Sequence, residues 1–217
     1  MTATMNDRLL LLAPRVLSVV GAATLLAGIA RHAGGDGGAP GAVAAALLAA
    51  YLGWLLLEAP VTFRRAAAPP ADARTLLPYA LARILLVASA SFAPLPWDEW
   101  SPWLAVPAAV FGAGVVLRQA AIRTLGRLYS HHVMRQENHR VVTGGLYGIV
   151  RHPAYAGMLL ANAGFASFFL NPAGVLALLL LGAAVVWRIR VEERALRDVP
   201  GYRGYAAGRP RLLPGVW

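Results

Sequence analysis

The chain of 217 residues contains no cysteine and no lysine, and only 14% of it is charged. Without cysteine there is no disulfide, no thiolate nucleophile and no cysteine-ligated zinc, and the redox state of the compartment leaves no mark. Without lysine, all 20 basic residues are arginine, a bias that codon usage explains as well as function does. Acidic residues number only 10, which leaves a formal charge of +10. In a soluble protein that excess would raise nucleic acid as a partner. Here 58% of the residues are hydrophobic and the mean hydropathy is positive, so there is too little polar surface to enclose the chain in water. A bilayer is the natural solvent. Arginines clustered between apolar spans are what orientation in a membrane requires, and no nucleic acid is expected.

A membrane helix needs about 20 mostly apolar residues. Six segments approach that length: Leu9–Ala30, Gly41–Ala59, Leu76–Ala93, Pro102–Ala121, Ala154–Leu170 and Pro172–Trp187. The expected fold is therefore an all-α bundle of about six transmembrane helices. The first run resembles a signal peptide, with Arg8 ahead of it and Ala27, Gly28 and Ala30 near its end. Pro14 and Arg15 inside it, and the spans that follow, favour a retained helix. Asn171-Pro172 reads as a tight turn between the last two helices, because proline cannot continue one helix and suits the first position of the next.

Charge orients the bundle. Arg64, Arg65 and Arg74 share one loop, six arginines lie from Arg118 to Arg151, and seven follow from Arg188. The alternate loops hold Arg31 with Asp36, then Asp98 with Glu99, then the uncharged Asn171 turn. Both termini are therefore expected in the cytosol, with Trp97, Trp100 and Trp103 as an outer aromatic belt. Residues 1–121 would supply the acceptor or lipid side. Residues 122–217 would form a catalytic core built on a hairpin spanning 154–188. Arg83, seven residues into the third span, is expected to snorkel to the interface.

The chemistry gathers after Arg118. Pro153 fits a first helical turn with His152 near its N-cap and Arg151 just outside, so this helix start offers backbone N–H groups and cations to an anion. An ordinary interfacial helix start explains the same residues. Gly144, Gly145 and Gly148 let the preceding loop turn sharply. Arg188 and Glu192 are four apart, as are Glu193 and Arg197, so each pair shares a helix face. The hairpin at Asn171-Pro172 would bring Arg151, His152 and Tyr155 to Arg188, Glu192 and Glu193.

At these residues the sequence resembles the isoprenylcysteine carboxyl methyltransferase family, which also looks related to phospholipid methyltransferases. The matching elements are His139 with Val-Val-Thr-Gly-Gly-Leu-Tyr147, Arg-His-Pro-Ala-Tyr155-Ala-Gly157, Asn171-Pro172, Arg188 with Glu192-Glu193 and Leu196, Tyr202, Tyr205, and a closing Pro-Arg-Leu-Leu-Pro214. The resemblance implies S-adenosylmethionine as donor, held without a Rossmann domain. It implies His139, Arg140, Val141, Val142, Tyr147, His152, Pro153, Ala154 and Tyr155 along the donor site, with Glu192 and Glu193 at the donor's polar end. Arg188, Arg151 and Glu192 would be the catalytic residues, Arg188 facing a lipophilic or lipidated acceptor. No metal and no obligate protein partner are implied. Gly112-Ala-Gly114 lacks the third glycine of a dinucleotide fingerprint and suits helix packing. The cytosolic end of a cell-membrane protein is the expected site. The alternatives are a phospholipid amine acceptor, for which Glu193, His139 or His152 would take the proton, a sterol-type reductase using a nicotinamide cofactor, and a non-enzymatic transporter or assembly factor.

Overall fold

The computed structural model describes residues 5–62, 73–126, 141–215 and 217. Every regular element among them is helical. The bundle comprises α1 (Met5–Gly34), α2 (Gly38–Thr62), α3 (Ala73–Phe92), α4 (Ala105–Leu125), α5 (Pro153–Phe169) and α6 (Pro172–Leu196), followed by the short α7 (Tyr202–Ala207). Five stretches are long and apolar enough to cross a membrane: Val16–Gly34, Gly38–Thr62, Arg74–Phe92, Pro102–Leu125 and Pro172–Leu196. The remaining long helix, α5, has 17 residues, about 25 Å at 1.5 Å per residue and just under the hydrocarbon thickness. Large apolar side chains such as Val19, Leu57, Leu81, Val116, Leu160 and Leu179 point outward. That surface is the lipid face of an integral membrane protein.

The helices pair out of sequence order. α5 packs chiefly on α4 and α6 on α3, while α1 touches both α2 and α3. Glycine makes the α4–α5 seam. A Cβ on Gly114 would strike the Ala161 backbone, one on Gly157 the Arg118 backbone, and one on Gly164 the Phe111 backbone. Such close backbone approach replaces the hydrophobic effect, which has little hold inside lipid. Gly114 thus serves packing, as its sequence context suggested, whereas Gly112 faces open space. Between the helices lies an aromatic core of Tyr51, Trp54, Phe111, Phe165 and Phe169.

The α5–α6 turn forms as expected. Asn171 is the N-cap of α6, its side chain accepting from Gly174 N at 2.7 Å, and Pro172 takes the first helical position. Trp97 is drawn inward and donates from Nε1 to Phe168 O at 2.6 Å, whereas Trp103 is 80% exposed. At the same end, Arg31 donates to the carbonyls of Ser91 and Ala93, so α1 and α3 run in the same direction. The starts of α1, α3 and α5 and the ends of α2, α4 and α6 therefore gather at the opposite end.

Hydropathy misplaced one boundary substantially. α6 runs to Leu196, nine residues past Trp187, because the arginine- and glutamate-rich stretch consists of strong helix formers and continues the helix beyond the apolar run. Glu192 and Glu193 consequently sit on the helix itself.

Candidate active site

At the gathered end, the first cluster centres on Glu193 of α6. Its Oε1 meets Arg151 Nη1 at 2.7 Å and His152 Nε2 at 3.3 Å, and its Oε2 accepts from Arg211 Nε at 2.9 Å. One carboxylate thus ties the start of α5, the end of α6 and the C-terminal segment together. The backbone reinforces the tie, since Arg151 N donates to Pro210 O and His152 N to Arg211 O, both at 2.9 Å. Tyr155 N and Ala156 N then donate to His152 O. The start of α5 is therefore not the open ring of donors that its sequence suggests, because the chain's own tail covers part of it.

Glu192, next along α6, is half-buried and has no hydrogen bond or ion pair among the described residues. The Arg151 Nε and Tyr202 hydroxyl are buried nearby, with the two side chains within reach of each other and neither atom reaching another partner among the described residues. Burial and the adjacent Glu193 and Glu192 push the Tyr202 phenol upward, and burial does the same to Tyr205, so both tyrosines stay neutral at ordinary pH. Tyr205 donates to Tyr147 O at 2.9 Å, which docks α7 on the loop before α5. Gly145 turns that loop at φ 57°, a left-handed conformation that favours glycine. Val142 packs with Tyr147 and Ala154, and Val141 packs with Tyr202 and Tyr205, so this segment bridges two small apolar clusters.

The second cluster surrounds Arg188, which is 3% exposed. It donates to Thr75 Oγ1 at 3.0 Å and Tyr155 Oη at 3.4 Å, and its guanidinium lies over the Tyr79 ring. Arg188 and Tyr155 therefore do meet. His139 and Arg140 lie outside the described residues.

A third cluster escaped the sequence reading altogether. Arg118, counted above among loop arginines, is 1% exposed inside the bundle, and Glu58, near the end of α2, is 4% exposed. The two form a two-pronged ion pair across α2 and α4, one prong being Nη2 to Oε2 at 2.8 Å. Trp54 and Gln119 also donate to Glu58, and Arg118 Nη1 donates to Ala154 O at 3.1 Å. The pair thereby fixes the first turn of α5. Its one local signal was Trp54 and Glu58 at helical spacing.

Arg83 also departs from expectation. It turns into the bundle, donating from Nε to Tyr51 Oη at 3.1 Å and from Nη1 to Tyr79 Oη at 3.4 Å, with Trp54 beneath its guanidinium. Phenols on two helices hold it where a bare helix would have let it snorkel.

Residues 105–198 match the model of the isoprenylcysteine carboxyl methyltransferase family. Protein-S-isoprenylcysteine O-methyltransferase B of Arabidopsis thaliana is 38% identical over 112 residues, which are 48% of this chain and 55% of that one. The Mus musculus protein-S-isoprenylcysteine O-methyltransferase is 32% identical over 113 residues, 48% of this chain and 38% of its own. Cobalt-zinc-cadmium resistance protein CzcN of Cupriavidus metallidurans is 30% identical over 134 residues, 59% of this chain and 58% of that one. The solved structure of a eukaryotic intramembrane Ras methyltransferase of this family superposes with a TM-score of 0.52 at 22% identity, covering 93% of this chain and 73% of that one. The fold is thus shared, while the chain spans about half the length of the curated relatives it matches.

Proposed function

We propose that this chain, whose residues 105–198 carry the similarity to isoprenylcysteine carboxyl methyltransferases, is a membrane enzyme that methylates a carboxylate on a lipophilic or lipidated acceptor, with S-adenosylmethionine as donor. The observation that carries the reading is the placement, at one end of the bundle, of a half-buried Glu192 with no hydrogen bond or ion pair among the described residues, with Arg188 one turn away along α6 and the buried Arg151 and Tyr202 side chains nearby. The comparisons favour methyl transfer over nicotinamide-dependent reduction.

The residues fit such a donor. Glu192 takes its ammonium, and the Arg151 guanidinium with the Tyr202 hydroxyl offers further polar contacts beside it. Val141, Val142, Tyr147, Pro153, Ala154 and Tyr155 enclose it, while His152 and Glu193 hold the wall in place. When bound, the donor supplies a methyl on a sulfonium, which a carboxylate oxygen displaces in line as the thioether of S-adenosylhomocysteine leaves. A carboxylate is already nucleophilic at neutral pH, so no side chain must remove a proton. The protein's task is alignment in a dry site. Arg188 holds one acceptor oxygen, helices α1–α3 shape the acceptor side, and the lipid tail enters between helices.

The excess of arginine at this end supports a cytosolic orientation for it, and the cell membrane is the proposed location. Titration of the purified protein with S-adenosylmethionine and with NADPH tests the reading. Binding of the first, weakened in Glu192→Gln, is expected. NADPH binding with no S-adenosylmethionine binding would overturn the assignment.

A further inference from the structure

Thr75, Tyr79 and Arg83 follow one another at four-residue spacing on α3, so they line one face of it, with Arg83 about 12 Å along the axis from Thr75. Tyr51 and Trp54 answer from α2. These two helices are joined here by long side chains rather than by close backbone packing. The Arg83 guanidinium lies 5.4 Å from the Tyr51 ring centroid, 4.9 Å from that of Trp54 and 5.9 Å from that of Tyr79. Tyr79 also carries Arg188 at 5.4 Å, so one ring has both cations as neighbours.

The hydrogen-bond partners of Arg83 are neutral, and Glu58, which acts on it through space, is already engaged by Arg118. Its hydrogen bonds go to two phenol oxygens, and no carboxylate lies within ion-pair distance among the described residues. Arg118, by contrast, has Glu58, and Arg151 has Glu193. The neutral setting is built to hold the charge in place. Tyr51 accepts from Arg83 and donates to Asn162 Oδ1 at 2.9 Å, and Asn162 donates to Met158 O at 2.7 Å. That relay fixes the guanidinium facing inward, where a brace alone would need no charge. An intramembrane cation turned inward, with no carboxylate bonded to it among the described residues, is equipped to receive an anion.

We infer that Arg83, framed by Tyr51, Trp54 and Tyr79, is an acceptor-binding residue that selects a carboxylate headgroup from within the bundle, alongside Arg188. This rests on the methyltransferase reading and adds to it. A protonated amine headgroup would meet two like charges around Tyr79, so the site discriminates against phospholipid amines. The aromatic walls that stack on Arg83 also offer the acceptor's first apolar carbons a surface between α2 and α3.

The test uses an N-acetyl-S-prenylcysteine as acceptor and its carboxamide as a competitive inhibitor, with wild type, Arg83→Gln and Arg83→Lys. The quantity read is the preference for carboxylate over carboxamide, which is internal to each variant and so insensitive to the folded fraction. Wild type is expected to prefer the carboxylate, and Arg83→Gln to lose about tenfold or more of that preference. Donor affinity is expected to stay unchanged. Arg83→Lys keeps a charge without the planar fork and should fall between them. If Arg83→Gln does not fold, Arg83→Lys alone decides, an unaltered preference counting against the inference. An unaltered preference in Arg83→Gln, with wild type still binding donor and transferring methyl, overturns the role of Arg83 and leaves the methyltransferase standing. Failure of wild type to bind donor or transfer methyl refutes the underlying reading instead.

Discussion

Substituting Glu58 by alanine removes the counter-ion of the most deeply buried cation in the described bundle. Arg118 and Glu58 are 1% and 4% exposed, so the loss leaves a guanidinium with Ala154 O in place of a carboxylate. Breaking a buried pair from one side costs about 3–5 kcal/mol. Trp54 Nε1 and Gln119 Nε2 lose the same acceptor, which keeps the cost toward the upper end. For a chain of this size each kcal/mol lowers Tm by about 2–4 °C, so thermal unfolding in detergent, followed by tryptophan fluorescence, should fall by about 6–20 °C. The double variant Glu58→Leu with Arg118→Met removes both charges and should recover most of that loss, because an uncompensated charge, rather than a missing bond, is the source of the cost. A Glu58→Ala protein melting within about 2 °C of wild type, or a double variant no better than the single one, would refute the reasoning.

Other substitutions probe separate parts of the molecule. Gly157→Val places a Cβ 2.5 Å from the Arg118 backbone nitrogen, where neither helix can yield, so it should destabilise by about 3 kcal/mol or more in the same melt. Gly28→Ala would place a Cβ 2.6 Å from Ser91 Cβ, which side-chain rotation cannot move, so α1 and α3 must part and the variant should also melt lower than wild type. Asn171→Ala removes the N-cap of α6 at the end remote from the site, and should lower stability by about 1 kcal/mol while leaving methyl transfer intact. Glu193→Gln loosens Arg151, His152 and Arg211 together, so trypsin should cut the tail at Arg211 faster, with weaker donor binding measured by calorimetry.

The sequence exposed those features that depend on local rules. Apolar run length located the long helices, proline and asparagine marked the α5–α6 turn, and helical spacing brought the α5 start to the α6 end. What stayed hidden depends on partners far away in the chain. Hydropathy treats Glu58 and Arg118 as two charges near helix ends, yet sixty residues of separation close into a pair that lets both enter the bundle. Depth along α3 alone made snorkelling the natural expectation for Arg83, until Tyr51 on another helix supplied a hydrogen bond facing inward. The α6 boundary shifted because a helix, once nucleated, continues through charged helix formers that a hydropathy window reads as an exit. The cover over the α5 start came from Pro210 and Arg211, whose approach no local pattern announces.

Methyl transfer itself is tested most directly by incubating the purified protein with methyl-labelled S-adenosylmethionine, extracted host lipids and prenylcysteine analogues, and identifying the labelled product by mass. Label in a base-labile methyl ester of a lipophilic carboxylate, lost in Arg188→Ala and Glu192→Gln, is the expected result. Label confined to a phospholipid amine, or turnover undiminished in both variants, would contradict it.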